Sequence, residues 1–356
     1  MSFLFRVHST SWIYAQGVGT QTITAALALA SVFIGHRSQA KKECLRQPYV
    51  CAFAGFLTWC FVCAVVATLS DGGYEPPLQF HPCRLFQAAA ISACILMLRD
   101  RTRTLTLIAQ SLVITLLVRI ALLDPVQYRD AGIASDVAMA VPLVGYLIVS
   151  SDKWWKRLAF LVVAFGFAWV IFRVENRGSA IGLTFGMIAI WVTSRHKALG
   201  ILLGLPALGG SLFWFRSTSF GTLFFDAERW ASDKRMTLFR ESFEIGTDHP
   251  LFGVGPGNFV NRIGEYANEL EHYSSHNFLL NVFAETGLPG LGLYGICFLL
   301  AVASGSRGVR REKCAAARWA LVTLAVATGV GMFLTTTMFV LPYMMMAICV
   351  SAASDE

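Results

Sequence analysis

Charge is scarce in this sequence. Only 14% of its 356 residues are charged, 55% are hydrophobic, and the mean hydropathy is +0.57. That balance excludes an ordinary soluble globule. No D-x-D phrase occurs, so the acidic pair that commonly holds a divalent cation is missing. Met1–Thr10 lacks a charged stretch followed by an apolar core, so no cleavable signal peptide is expected. The one glycine-rich phrase in a polar setting, Leu251–Phe259, has neither the G-x-G-x-x-G nor the G-K-[ST] spacing and follows no strand, which argues against a nucleotide cradle. Nine cysteines are present, but most lie inside apolar runs. Cys60 and Cys63 form a C-x-x-C within Phe56–Leu69 and read as small core residues, not as a metal or redox pair.

What the sequence has is length in its apolar runs. They lie near residues 13–35, 49–69, 84–98, 104–123, 134–150, 157–172, 178–194, 198–215, 277–301, 315–333 and 335–351. The expected fold class is therefore all-α: a polytopic membrane protein of about eleven transmembrane helices. Residues 1–356 form a single membrane domain, with a large loop, 216–276, inserted between spans. The net charge of +7 does not point to nucleic acid. Sixteen of the 29 basic residues sit in the short segments 36–48, 99–103, 151–157, 195–197 and 304–313. These alternate with weakly charged segments at 70–83, 124–133, 173–177 and 216–275. The positive-inside rule then puts the basic segments in the cytoplasm and the long loop outside. An odd span count would put the N-terminus outside as well. Trp154 and Trp155, beside Lys153 and Lys156, make an interfacial anchor on the cytoplasmic side.

The outer segments carry the candidate chemistry. Asp71 and Glu75, on either side of a turn, read as solvated acids. Arg177 stands at the outer end of a span, where positive charge is otherwise sparse, and Gly178, Ser179 and Ala180 after it allow close approach. An arginine so placed suggests an anion ligand. In the loop, Ser232 is expected to cap a helix with apolar positions Met236, Phe239 and Phe243, ending near Gly246 and Asp248-His249-Pro250. A tight turn follows, then a second amphipathic helix with Phe259, Ile263, Tyr266 and Leu270 on one stripe. Acids outnumber bases across the loop, so it is no nucleic-acid surface. His272 and His276 are four apart and could share a helix face as metal ligands, but no third ligand is evident. A single histidine at the lip of a span suits a general base. A histidine that merely ends a helix is the plain alternative.

Three pieces occur in order: Asn176-Arg177-Gly178-Ser179-Ala180; Arg235 with the downstream phrase His249–Phe259; and His276-Asn277 followed by Ala284-Glu285-Thr286-Gly287-Leu288-Pro289-Gly290. Over roughly residues 170–300 this resembles the bacterial O-antigen ligase and O-antigen polymerase family, which has a membrane core of the C-type glycosyltransferase kind. The first half resembles it in hydropathy alone. The resemblance implies Arg177 and Arg235 as binders of the donor diphosphate and His276 as the catalytic residue. Asn277 and Glu285 take supporting or structural roles. Asn176 stands where the family often has serine. Members commonly carry one span more, with the N-terminus inside, and a missing first span would reconcile the counts.

The implied chemistry suits these residues. Nucleotide sugars are absent outside the cytoplasm, so the donor would be a glycan on polyprenyl (undecaprenyl) diphosphate. That leaving group needs cations rather than an acid, and two arginines supply them without metal or other cofactor. A histidine then takes the proton from the acceptor hydroxyl, and direct attack inverts the anomeric centre. The implied setting is lipopolysaccharide assembly at the periplasmic face of the bacterial inner membrane, with a lipid- or glycan-linked acceptor. A polysaccharide polymerase would use the same donor. A protein O-oligosaccharyltransferase and a transporter are the remaining alternatives; no internal repeat favours a transporter.

Overall fold

Long apolar runs bounded by Pro, Gly and charge have one stable solution in lipid, the helix, because it satisfies every backbone polar group internally. The computed structural model describes residues 47–71, 82–98, 100–123, 131–174, 176–193, 234–267, 273, 275–311, 314–332 and 340–351. Among them are eleven helices and no strand. They are α1 (Pro48–Asp71), α2 (Pro82–Met97), α3 (Arg101–Leu123), α4 (Ala131–Ser150), α5 (Trp154–Val174), α6 (Arg177–Thr193), α7 (Lys234–Asp248), α8 (Phe259–Tyr266), α9 (Phe278–Arg311), α10 (Ala315–Gly331) and α11 (Val340–Ser351). Five of them, α1, α3, α4, α5 and α9, are long and apolar enough to cross a membrane by length and composition. The expected spans 13–35 and 198–215 lie outside the described residues, as do Ser232, Leu270, His272 and Glu75 and the side chain of Asp71.

The bundle is built around α10. Twelve of its residues are buried, among them Ala316, Ala320, Val326 and Gly329, and it packs on α6, α4, α9 and α11. Its closest neighbour is α6. Carbon added at Gly182 would fall 2.5 Å from Val330 Cγ2, and at Gly186 2.5 Å from Val326 Cγ2. Small residues four apart thus bring the two backbones together, which is how helices associate without a hydrophobic driving force. The pairing is antiparallel, so Arg177 and Gly331 lie at the same end. Gly145 of α4 faces Trp319, and Gly305 of α9 faces Cys349 and Leu321. The starts of α3, α5 and α10 and the ends of α4, α9 and α11 therefore share the opposite end. That end holds Arg101, Arg103, Lys153, Lys156, Arg157, Arg307 and Arg310. Trp154 and Trp155 are exposed there, with the Lys156 and Lys153 ammonium groups 5.6 and 6.0 Å from the Trp155 ring centre.

Two sequence expectations are corrected. The helix expected at 277–301 continues to Arg311, so the first basic residues of the 304–313 segment are helical, and it is interrupted at Gly287. The stripe Met236, Phe239, Phe243 is not the buried face of α7. Phe243 is exposed, and the buried residues are Leu238, Glu241, Ser242, Ile245 and Gly246. The reason is close packing on α9. Carbon at Gly246 would meet the Phe283 ring at 2.4 Å, so the small face goes inward and the large ring lies across the edge.

Candidate active site

Several helices begin at the end of the bundle that lacks the basic clusters, and three of them carry the candidate residues. Arg177 opens α6, and Asn176 before it caps the helix, its Oδ1 accepting the Ser179 N–H at 3.0 Å. Asparagine does what serine would do at that position. His276-Asn277 precede α9, and Asn277 caps in the same way, accepting the Leu280 N–H at 3.1 Å. The Asn277 amide also reaches the carbonyl oxygen of Met332, at the end of α10, at 3.5 Å. That contact sets the His276 turn at the Arg177 end of the bundle. The third helix, α7, starts with Lys234 and Arg235. The Lys234 ammonium lies 5.7 Å from the Tyr273 ring centre, three residues before His276. Arg177, Arg235 and His276 therefore share one end, each at or just before the first turn of a helix. Three positive helix termini face that end with them.

His276 is the one non-glycine with positive φ among the described residues, at 50°. Histidine enters this left-handed region more readily than most residues, but the position is uncommon and must be held. The residues on either side hold it. The buried Ser275 hydroxyl lies 2.8 Å from the Asn277 carbonyl oxygen and so bridges across His276.

The glycine-rich phrase and the Glu285–Gly290 phrase form one structure. α9 is broken at Gly287 (φ 67°, ψ −171°), and Pro289 has no N–H to give. The break strips the carbonyls of Ala284, Glu285 and Thr286 of their helical donors. Each finds another: Val254 N–H at 2.9 Å, Gly255 N–H at 3.0 Å and Trp59 Nε1–H at 2.9 Å. The freed Leu288 N–H donates to the Pro250 carbonyl at 2.8 Å. These three carbonyls and the Leu288 N–H are thereby satisfied. Trp59 also stacks on Phe252 at 5.3 Å, pinning the turn to α1. The Glu285 carboxylate is buried and accepts the Gly257 and Phe259 backbone N–H groups and the Asn281 side chain. Leu238, Ile245, Val254, Phe259, Ile263 and Ala284 form a small core beneath. Farther out, the Tyr266 hydroxyl donates to Asp248 at 2.9 Å, joining α8 to the end of α7. Burial, and then the Asp248 carboxylate, push this phenol up to about 12.

An apolar cavity of about 150 Å³ begins beside the His276-Asn277 turn. It runs between α9, α10 and α11, from Phe278, Leu279 and Met332 to Gly295 and Phe298. A second cavity, about 350 Å³, lies between the end of α1 and the His249–Val254 turn, with Arg262 on its wall. Among the described residues no group of three or more His, Cys, Asp and Glu is gathered as a metal ion would require. A largely buried ion pair that hydropathy alone does not reveal joins Arg119 of α3 to Asp136 of α4, 2.6 Å apart in the half of the bundle nearer Arg177. Its signal was present, as single charges inside two apolar runs.

A family model described as O-antigen ligase matches residues 86–295, reaching further towards the N-terminus than the motifs do. No curated protein sequence matches the chain.

Proposed function

The chain belongs to the O-antigen ligase family, and on that premise we propose that it is a metal-independent, inverting glycan transferase. The donor is a glycan on polyprenyl diphosphate, and the acceptor is a hydroxyl of a lipid-linked core on the outer face of the bacterial inner membrane. Arg177 and Arg235 hold the diphosphate. His276 takes the acceptor proton as the anomeric carbon is attacked and its bond to the diphosphate oxygen breaks. The observation that carries this reading is that two arginines and one constrained histidine stand at the starts of three helices at one end of the bundle. Cationic side chains and helix N-termini together favour a doubly charged leaving group. The apolar cavity beside the turn supports a lipid-linked donor, since the isoprenoid must stay out of water.

The test measures donor affinity and turnover in the same variant. His276→Ala is expected to lower turnover by roughly 10²–10⁴-fold, the usual span for loss of a general base. Donor binding is expected to persist, because the arginines hold the diphosphate. Lost binding with normal turnover at saturation would make His276 a donor ligand and send the search for the base elsewhere. The acceptor is read from a deletion strain: intact long chains left on the carrier lipid support a ligase, whereas single repeats indicate a polymerase.

A further inference from the structure

A line of buried polar side chains connects the outer glycine turn to the His276 backbone. Ser275, Asn281 and Glu285 are each at most 4% exposed, in a region where an unsatisfied polar group is costly. The Ser275 hydroxyl lies 3.2 Å from Asn281 Oδ1 as well as 2.8 Å from the Asn277 carbonyl, and shares its one proton between them. It also accepts the Asn277 N–H at 3.4 Å. The Asn281 side chain in turn bonds to the Glu285 carboxylate, one helical turn on. The polarity is fixed along the chain. Asn281 turns Oδ1 to the serine, which leaves its Nδ2 to donate to Glu285. Glu285 is itself fixed from the far side by the Gly257 and Phe259 N–H groups. On helix geometry alone, Glu285 is nine positions from His276 and faces away from it. The intervening pair closes that distance.

We infer that Ser275, Asn281 and Glu285 are positioning residues for His276, and that they transmit the docking of the glycine turn to the orientation of its imidazole. The inference rests on His276 being the base. None of the three touches substrate; each acts by holding the left-handed turn. An apolar isostere at Asn281 would take one partner from Ser275 and one from Glu285, so the three side chains act as a unit. The bridge from Ser275 to Asn277, spanning His276 itself, is what gives the line a direction.

The experiment is a set of mutant cycles on the full-length protein in detergent. Ser275→Ala and Asn281→Leu are made alone and on a His276→Ala background, with turnover, donor KM, pH profile and melting temperature recorded. The expected result is a fall in kcat on the order of tenfold or more, with donor KM within about threefold. The pH at half-maximal rate shifts as well, because the base is held differently. On the His276→Ala background the same substitutions cost less than about twofold, because residues that act through one group are not additive. Glu285→Gln, which keeps shape and volume, is the second variant should Asn281→Leu fail to accumulate, and the same non-additivity is expected. Losses that multiply unchanged on the His276→Ala background overturn the inference and make the line purely structural. Full turnover in Ser275→Ala and Glu285→Gln, with His276→Ala inactive, also overturns it while leaving the base in place. A fully active His276→Ala removes both readings.

Discussion

A guanidinium and an ammonium carry the same charge but not the same shape. On the proposed reading Arg177 and Arg235 each offer a planar fork to paired diphosphate oxygens, and a lysine offers a point charge. Arg177→Lys and Arg235→Lys are therefore expected to lower kcat/KM by roughly tenfold or more each, since the second parallel bond and its geometry are lost. Near-normal kcat/KM in both, measured on purified protein, would assign these arginines to topology or helix ends alone. Such residues were legible in the sequence because a lone Arg or His at the edge of an apolar run stands out. Ser275 and Asn281 were not, since neutral polar residues carry no signature until their partners are known. Arg119 and Asp136 were missed for another reason. A hydropathy window averages a single charge away, and the pairing across two helices is visible only in three dimensions.

At the scale of elements, the glycine turn and the break in α9 depend on each other. Gly253 (φ 62°) and Gly287 (φ 67°) both occupy the left-handed region, and each meets the other strand of the lock at its α-carbon. Carbon added at Gly253 would lie 2.3 Å from the Glu285 carbonyl carbon, and at Gly287 2.4 Å from the Leu251 carbonyl oxygen. Backbone cannot move aside as a flexible side chain would. Gly253→Ala and Gly287→Ala are expected to undock the turn, with strain of about 1–3 kcal/mol each. Faster hydrogen exchange at the Val254, Gly255 and Leu288 amides is the readout. Gly292→Ala, where added carbon meets nothing, serves as the control and is expected to leave exchange unchanged. Unchanged protection in the first two variants would mean the turn is held by Trp59 and the apolar contacts instead. The sequence displayed both phrases and their order, but not that they interlock. A helix break in Gly287-Leu288-Pro289 is legible from residue chemistry; which segment repairs it is a matter of tertiary packing. The misjudged stripe of α7 has the same origin. Periodicity places the aromatic residues on a face, yet close approach to α9 selects the small one.

For the whole molecule, the order of the apolar helices and the gathering of basic residues at one end were the most legible features. They depend on summed hydropathy and on the alternation of charge, and both survive an error of several residues at any boundary. The basic residues of α3, α5 and α9 gather at one end, and Arg177 and the His276 turn lie at the other, as that alternation requires. What no summed quantity reveals is the space left between helices. The cavity between α9, α10 and α11 opens from the proposed reaction end towards mid-bundle, and Gly295 lines it with nothing within 4 Å of an added carbon. If the first isoprene units of the donor lie there, a side chain at this position competes with them directly. Gly295→Phe displaces at least two CH₂ groups, at ~0.8 kcal/mol each. That amounts to a rise in donor KM on the order of tenfold. Turnover at saturating donor is expected to hold, because Gly295 is more than five helical turns from His276 and touches none of the reacting groups. The melting temperature is expected to stay level or rise, since a glycine inside a helix is replaced and an empty space is filled. A donor KM equal to that of the unaltered protein, with the fold intact, would remove this cavity from the donor's path and require the lipid to approach along another face of the bundle.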